Sequence, residues 1–275
     1  MFPQRKIPDP GLPEQNNRGK EMNAQFWFFY AVLAARYLAI AGLAFLVFYI
    51  FFPTKFASRK IQAVFPKRKD YAREVGHSFF TFLVFALYGV VLSSGWVLPH
   101  TQVYTSISQY GWGYFAVSVV LALVIHDTYF YWTHRLMHHP RLFKSFHLTH
   151  HKSVNPSPWA AFSFSPLEAV VEGGIIFVVA FLMPIHPLAI VLFLLLMTVY
   201  NVYGHLGYEI YPRWLVKSAV GKWLNTSTNH NMHHKYFKGN YGLYFRFWDE
   251  WLGTTHAKYD ETLAKLVHSG KSSGL

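Results

Sequence analysis

Residues 126–151 read HDTYFYWTHRLMHHPRLFKSFHLTHH, and they hold seven of the sixteen histidines in the chain. These are His126, His134, His138, His139, His147, His150 and His151. Spacing matters more than number. His134 and His138 are four apart, one turn apart on one face of a helix. His147, His150 and His151 follow an i, i+3, i+4 pattern, which predicts three imidazoles on one helical face. A third cluster in NHNMHH (His230, His233 and His234) repeats that pattern. The repetition points to a shared ligand role, and the rest of the chain can be read as what brings the three boxes together.

Apolar residues make up 52% of the 275, aromatic residues 19% and charged residues 14%, the last well below the roughly 25% of soluble globular domains. This composition predicts an all-α integral membrane protein. The formal charge of +12 sits mostly between apolar runs, where basic loops beside anionic lipid explain it better than a nucleic-acid partner. There is no cysteine, which excludes disulfides, iron–sulfur clusters and thiolate-bound zinc or haem.

Residues 1–25, with Pro3, Pro8, Pro10 and Pro13, read as a flexible tail rather than a secretory signal. The apolar run 26–52, interrupted by Arg36, exceeds the roughly 20 residues a bilayer crossing needs. Segment 53–76 carries Lys55, Arg59, Lys60, Lys67, Arg68, Lys69 and Arg73 against Asp70 and Glu74. Further spans are expected at 77–98 and 112–132, separated by a loop without Lys, Arg, Asp or Glu. Apolar runs 169–183 and 188–203, joined at Pro184 and Pro187, read as a helical hairpin. The positive-inside rule then puts 53–76 and 133–168 in the cytoplasm and 99–111 outside. All three boxes emerge on one face, as a shared metal site requires. The expected architecture is four or five transmembrane helices with a cytosolic helical cap. In domains this gives 1–25 as tail, 26–111 as N-terminal spans and basic loop, 112–260 as catalytic domain and 261–275 as a C-terminal tail, disordered beyond Leu266.

Imidazole suits iron, zinc, copper and nickel. About ten clustered histidines are too many for one metal, so two are inferred. No acidic residue lies within the His-x2-His-His sets, unlike the carboxylate-rich shells of soluble di-iron proteins. A neutral nitrogen shell leaves the metals strongly cationic, and with electrons and O2 such a centre could attack an unactivated C–H bond.

The segments HDTYFYWTHRLMHH, FHLTHHKSVNPSPWAAFSFSPLEA, NVYGHLGYE and NHNMHHKYFKGNYGLYFRFWDEWLGT resemble the sterol desaturase/fatty acid hydroxylase family of membrane di-iron oxygenases. The likeness covers about 112–256 and is closest to the lathosterol-oxidase (sterol C5-desaturase) branch. The resemblance implies iron ligands at His134, His138, His147, His150, His151, His230, His233 and His234. His139 also fits, since some members space the first box as His-x4-His, and His205 matches a further ligand in GHLGYE. Asn201 stands where some relatives have a histidine, and it reads as a weak or water-mediated ligand. The implied chemistry is O2-dependent hydroxylation or desaturation of a membrane lipid, sterol-like first, by two iron ions acting as the catalytic centre.

Asp127 reads equally as an orienter of a ligand histidine or as a local cap, and so do Glu168 and Glu209. The isolated His77, His100, His186, His256 and His268 read as surface or loop residues. With no dinucleotide, flavin or haem-attachment motif, electrons are expected from a separate cytochrome b5 or ferredoxin docking on the basic face. Two other readings stand beside this one. The first is a fatty-acyl, carotenoid or alkylglycerol hydroxylase. The second is a non-catalytic membrane metal carrier or sensor, which should place ionisable residues along its spans.

Overall fold

A computed structural model describes residues 12–269, with side chains from 19 to 267. The helices are α1 (Leu12–Phe45, continued by a π-helical stretch Leu46–Phe51), α2 (Arg68–Ser93), α3 (Gly111–Met137), α4 (Pro140–Phe146), α5 (Leu148–His151) and α6 (Pro166–Gly173). They continue with α7 (Ile175–Leu182), α8 (Pro187–Gly204), α9 (Arg213–Val216), α10 (Ser227–Tyr236), α11 (Phe247–Trp251) and α12 (Tyr259–Ser269). Among the described residues no strand forms, and β-type pairing is limited to isolated bridges.

Four helices are long and apolar enough to cross a membrane: Gly19–Phe51, Arg68–Ser93, Gly111–Met137 and Pro187–Gly204. The run expected as a further span, 169–183, is instead broken into α6 and α7. The break falls at Gly173 and Gly174. A Cβ at Gly173 would lie 2.9 Å from ring atoms of both Phe85 and Tyr88, so glycine lets α6 press against α2 there.

Helix starts follow local chemistry. Ser165 caps α6, its hydroxyl accepting from Glu168 N while the Glu168 carboxylate accepts from Ser165 N, with Pro166 at the first position. This is a reciprocal capping box. Described helices extend into both of the expected tails. Helix α1 begins at Leu12, because Pro13 in a first turn starts a helix rather than breaking one; residues 1–11 lie outside the described set. Helix α12 occupies most of the expected C-terminal tail. It buries Tyr259, Leu263 and Val267 with Met232, and residues 270–275 are outside the described set.

The linkers sort to opposite ends. The basic linker meets the chain after α8, where Ile61 N donates to Gly207 O at 3.0 Å and Glu209 N to Arg59 O at 2.9 Å. It also reaches the third box through Gln62 Nε2, which donates to Asn231 Oδ1 at 2.9 Å. The uncharged linker meets the α7–α8 turn, where Tyr104 N donates to Ile185 O at 3.1 Å. All three histidine boxes therefore share the end of the bundle that carries the basic linker. The turn at Asn155-Pro156-Ser157-Pro158 closes that end over α1 and α2: Tyr37 and Ser78 hydroxyls both donate to Trp159 O, at 2.8 and 3.1 Å.

Candidate metal centre

Helix α3 stops where its sequence says it must. His139 precedes Pro140, and steric conflict with the proline ring pushes it to φ −60°, ψ 134°, outside the helical region. His134 and His138 stay on the helical face. His139 turns away to the exposed surface, where its Nδ1 accepts from Arg141 N at 3.3 Å. It belongs to neither ligand set, which corrects the expectation for this residue.

The other nine histidines assemble into two sets. The first holds His134, His138, His147, His151 and His233, and the second His150, His205, His230 and His234; within each set the ligand atoms lie within 4.8 Å of one another. A helical face with i, i+3 and i+4 residues thus straddles two sites. His147 and His151 enter the first set and His150 the second, while in α10 His230 and His234 enter the second and His233 the first. The second and third boxes each give their i, i+4 pair to one set and their middle histidine to the other, whereas the first box gives both His134 and His138 to the first set.

The Nε2 atoms of His138, His151 and His233 form a triangle with sides of 3.1, 3.1 and 3.0 Å. In the second set, His205 Nε2 lies 3.2, 3.0 and 3.2 Å from Nε2 of His150, His230 and His234. Nitrogens bound at 2.0–2.1 Å to one ion lie about 2.9–3.4 Å apart. Fixed acceptors decide which nitrogen carries the proton. His134 Nδ1 donates to Tyr241 O at 2.9 Å, His233 Nδ1 to Gly239 O at 2.7 Å, His205 Nδ1 to Asn201 O at 2.8 Å and His147 Nδ1 to Glu168 Oε1 at 2.7 Å. Their Nε2 lone pairs then face one another. Those of His134 and His147 are buried without a partner. Such a cluster of lone pairs repels itself unless cations sit between them, so the donor set fits two metal ions.

Burial keeps the imidazoles neutral, the form that binds metal. It lowers His138 to about 2, helped by His233, and His205 to about 4. His147, His150, His151, His230, His233 and His234 are also held well below the ordinary histidine range, by burial first and by neighbouring imidazoles second.

Around the imidazoles stands a shell of carboxylates and carbonyls. Glu168 both caps α6 and orients His147. Asp127 touches no ligand histidine; its Oδ1 accepts from Leu243, Tyr244 and Phe245 N at 3.3, 2.7 and 3.1 Å. Asp249 accepts from Tyr241 and Gly242 N at 2.9 and 2.8 Å. Together they clamp the loop whose Tyr241 carbonyl holds His134. Glu209 accepts from Thr228 N and Oγ1 at 3.1 and 2.7 Å and so anchors the start of α10. Asn201 donates through Nδ2 to Ala161 O at 2.6 Å, and its clearest link to the site is its main-chain carbonyl on His205. His126 stays apart from both sets, its Nδ1 2.8 Å from the Tyr244 hydroxyl.

Sequence reading missed the carbonyls of Gly239 and Tyr241, which no side-chain identity announces. The turn behind them was legible only in part: Phe237 and Asn240 take φ of 63° and 58°, and Gly239 77°. A Cβ at Gly239 would also lie 2.5 Å from Thr254 O. Asp249 had one signal, an acid in an apolar aromatic run.

Beneath the second set lies an apolar cavity of about 490 Å³, walled by α1, α2, α3, α6, α7 and α8. It begins beside the histidines, at Asn201 and at Phe164, whose ring centroid is 5.3 Å from that of His150. It runs to Pro187 at the other end of α8, about 21 Å away at 1.5 Å per residue.

The fatty acid hydroxylase family pattern matches residues 119–254, a stretch that carries all nine histidines. The chain belongs to this family. It is 33% identical over 189 residues to a Delta(7)-sterol 5(6)-desaturase of Gibberella zeae, covering 69% of this chain and 57% of that one. A Delta(7)-sterol 5(6)-desaturase of Schizosaccharomyces pombe is 28% identical over 215 residues, 75% of this chain and 69% of the relative. Mouse lathosterol oxidase is 30% identical over 152 residues, 54% and 49% respectively. These relatives place the chain in the sterol desaturase branch. The chain spans roughly half to two thirds of the length of these curated relatives. No solved structure matches it.

Proposed function

We propose that the protein is an O2-dependent oxidoreductase that hydroxylates or desaturates a C–H bond of a membrane lipid, a sterol-like one first, with two iron ions held by the nine histidines. The observation that carries this reading is the junction of two features: two converging imidazole sets, and an apolar cavity that reaches one of them from within the membrane-spanning helices. Bound iron supplies, with O2 and electrons, the oxidising power needed to remove hydrogen from an unactivated carbon. The chain supplies the rest. Glu168 and the carbonyls of Tyr241, Gly239 and Asn201 fix the ring orientations before iron arrives, so no reorganisation is left for the reaction. The cavity aligns a lipid with its reacting carbon beside His150 and keeps water away from it.

The chain holds no motif for a redox cofactor that delivers electrons, so an external donor of cytochrome b5 or ferredoxin type is part of the proposal. We place its docking surface on the basic end that carries the histidine cap, and by the positive-inside rule that end is cytoplasmic. Donor-supported activity should then fall as ionic strength rises.

The test is elemental analysis of the purified protein beside a His150→Ala, His233→Ala variant, which strikes one ligand in each set. Two irons per chain, lost in the variant, together with an oxidised lipid product, bear the proposal out. Iron that stays bound in the variant overturns the site assignment, and iron-loaded protein that oxidises no lipid class overturns the activity.

A further inference from the structure

Two ionisable side chains line the lipid cavity with polar atoms left unpartnered. Glu172 is 7% exposed and lines the wall at the α6–α7 break. Among the described residues its carboxyl makes no hydrogen bond and no ion pair; its neighbour Tyr129 spends its hydroxyl on Val171 O at 2.6 Å. Arg36 lines the same cavity from α1, and its Nε is buried with no partner. Most other polar wall residues have partners: His126 in the Tyr244 hydroxyl, Asn201 in Ala161 O, Tyr88 in Val170 O and Ser93 in Gly89 O. An unmatched carboxyl in an apolar membrane cavity is costly to the fold, and such residues mark ligand contacts.

We propose that Glu172 is a specificity-determining residue that takes the hydroxyl group of an uncharged, monohydroxylated lipid. This rests on the lipid-oxidising reading above and narrows its substrate class. The choice of a hydroxyl follows from the charges on the wall. An anionic head group would enter a cavity that already holds a carboxyl, and a cationic one would enter beside Arg36. A neutral hydroxyl both donates and accepts, so it satisfies a carboxyl in either protonation state. The position narrows the chemistry further. Glu172 lies one turn along α6 from Glu168, about 6 Å, and Glu168 holds the ligand His147. The hydroxyl end of the lipid therefore sits near the histidines, with the apolar remainder toward Pro187. The oxidised carbon belongs to the hydroxyl-bearing end and not to the distal tail.

The test uses the full chain in lipid nanodiscs without reductant. Equilibrium binding of a tritiated saturated 3-hydroxysterol is compared with that of its 3-methyl ether. The wild-type protein should prefer the free alcohol by about tenfold. Glu172→Ala should lose the preference, and Glu172→Gln, which keeps a donor and an acceptor, should restore it. Metal content equal to wild type certifies that each variant is folded. A wild-type protein blind to the ether, or a Glu172→Ala protein that keeps the full preference, overturns the proposal. Because binding is read without turnover, a preference that appears while no lipid is ever oxidised refutes the oxygenase reading alone. Turnover with an unaltered preference in Glu172→Ala refutes this inference alone. In the active enzyme Glu172→Ala should also raise KM more than it lowers kcat and scatter the position of oxidation.

Discussion

The first histidine set takes five imidazoles and the second four, and the two are supported from different directions. In the first set, His134 and His233 are fixed by Tyr241 O and Gly239 O in the loop after α10, and His147 by Glu168 on α6. In the second, His205 is fixed by Asn201 O, on the membrane helix that also walls the cavity. The first set leans mainly on the loop after α10, the second on a helix that walls the cavity. The second and third boxes feed both sets, while the first box feeds only the first set and His205, outside the boxes, only the second. The second set is the one that borders the apolar cavity, while the first is the more heavily buttressed.

The strongest way to break this comparison is to remove one ligand from each set. The His150→Ala, His233→Ala protein should lose both metals and fall to background lipid oxidation, read by elemental analysis and product chromatography. The next test separates the sets. Glu168→Ala frees His147 Nδ1 and should weaken metal binding about 10- to 100-fold, with loss confined to one metal per chain in a chelator titration. Loss of both metals together would show that the sets are not independent.

Acid offers a third separation, on the metal-free protein. Folding holds these histidines below their ordinary value of about 6.5, so the unfolded chain binds more protons as pH falls through that value. The stability they contribute is complete above it and is lost progressively below. His205, lowered to about 4, should protonate before His138, lowered to about 2. His205 should therefore show the earlier imidazole shift in a proton NMR titration.

Smaller effects are expected further out. Asp127→Ala leaves three main-chain N–H groups of the 243–245 loop unmatched and should cost at least about 2 kcal/mol in denaturant unfolding, with metal affinity reduced mainly at the first set through Tyr241. His139→Ala should leave metal content unchanged and cost no more than about 0.5–1 kcal/mol, the loss of a weak helix cap.

Much of this was legible in the chain. Apolar runs marked the four helices long and apolar enough to cross a membrane, and nine of ten expected histidine ligands converge. The exception, His139, was decided by its own neighbour: Pro140 forces the preceding residue off the helix, a local signal that the His-x3-His-His reading left unused. Of the four or five spans expected, four form as long helices, and the run 169–183 is divided for a subtler reason. Hydrophobicity alone does not reveal that Gly173 allows close approach to α2 where the helix is interrupted.

What the sequence by itself determined is the kind of atom available and its local spacing: nitrogen ligands a turn apart, apolar lengths that match a bilayer, and basic linkers at one end. Helix periodicity is a property of neighbouring residues, so it can be read along the chain. Only the tertiary structure decided which imidazole joins which set, which carbonyl turns each ring, and that Glu172 and Arg36 open onto one cavity. These outcomes depend on contacts between residues up to about a hundred positions apart, such as His134 with Tyr241 and Asp127 with Tyr244. Main-chain carbonyls are the same at every position, so no reading along the chain could have singled them out.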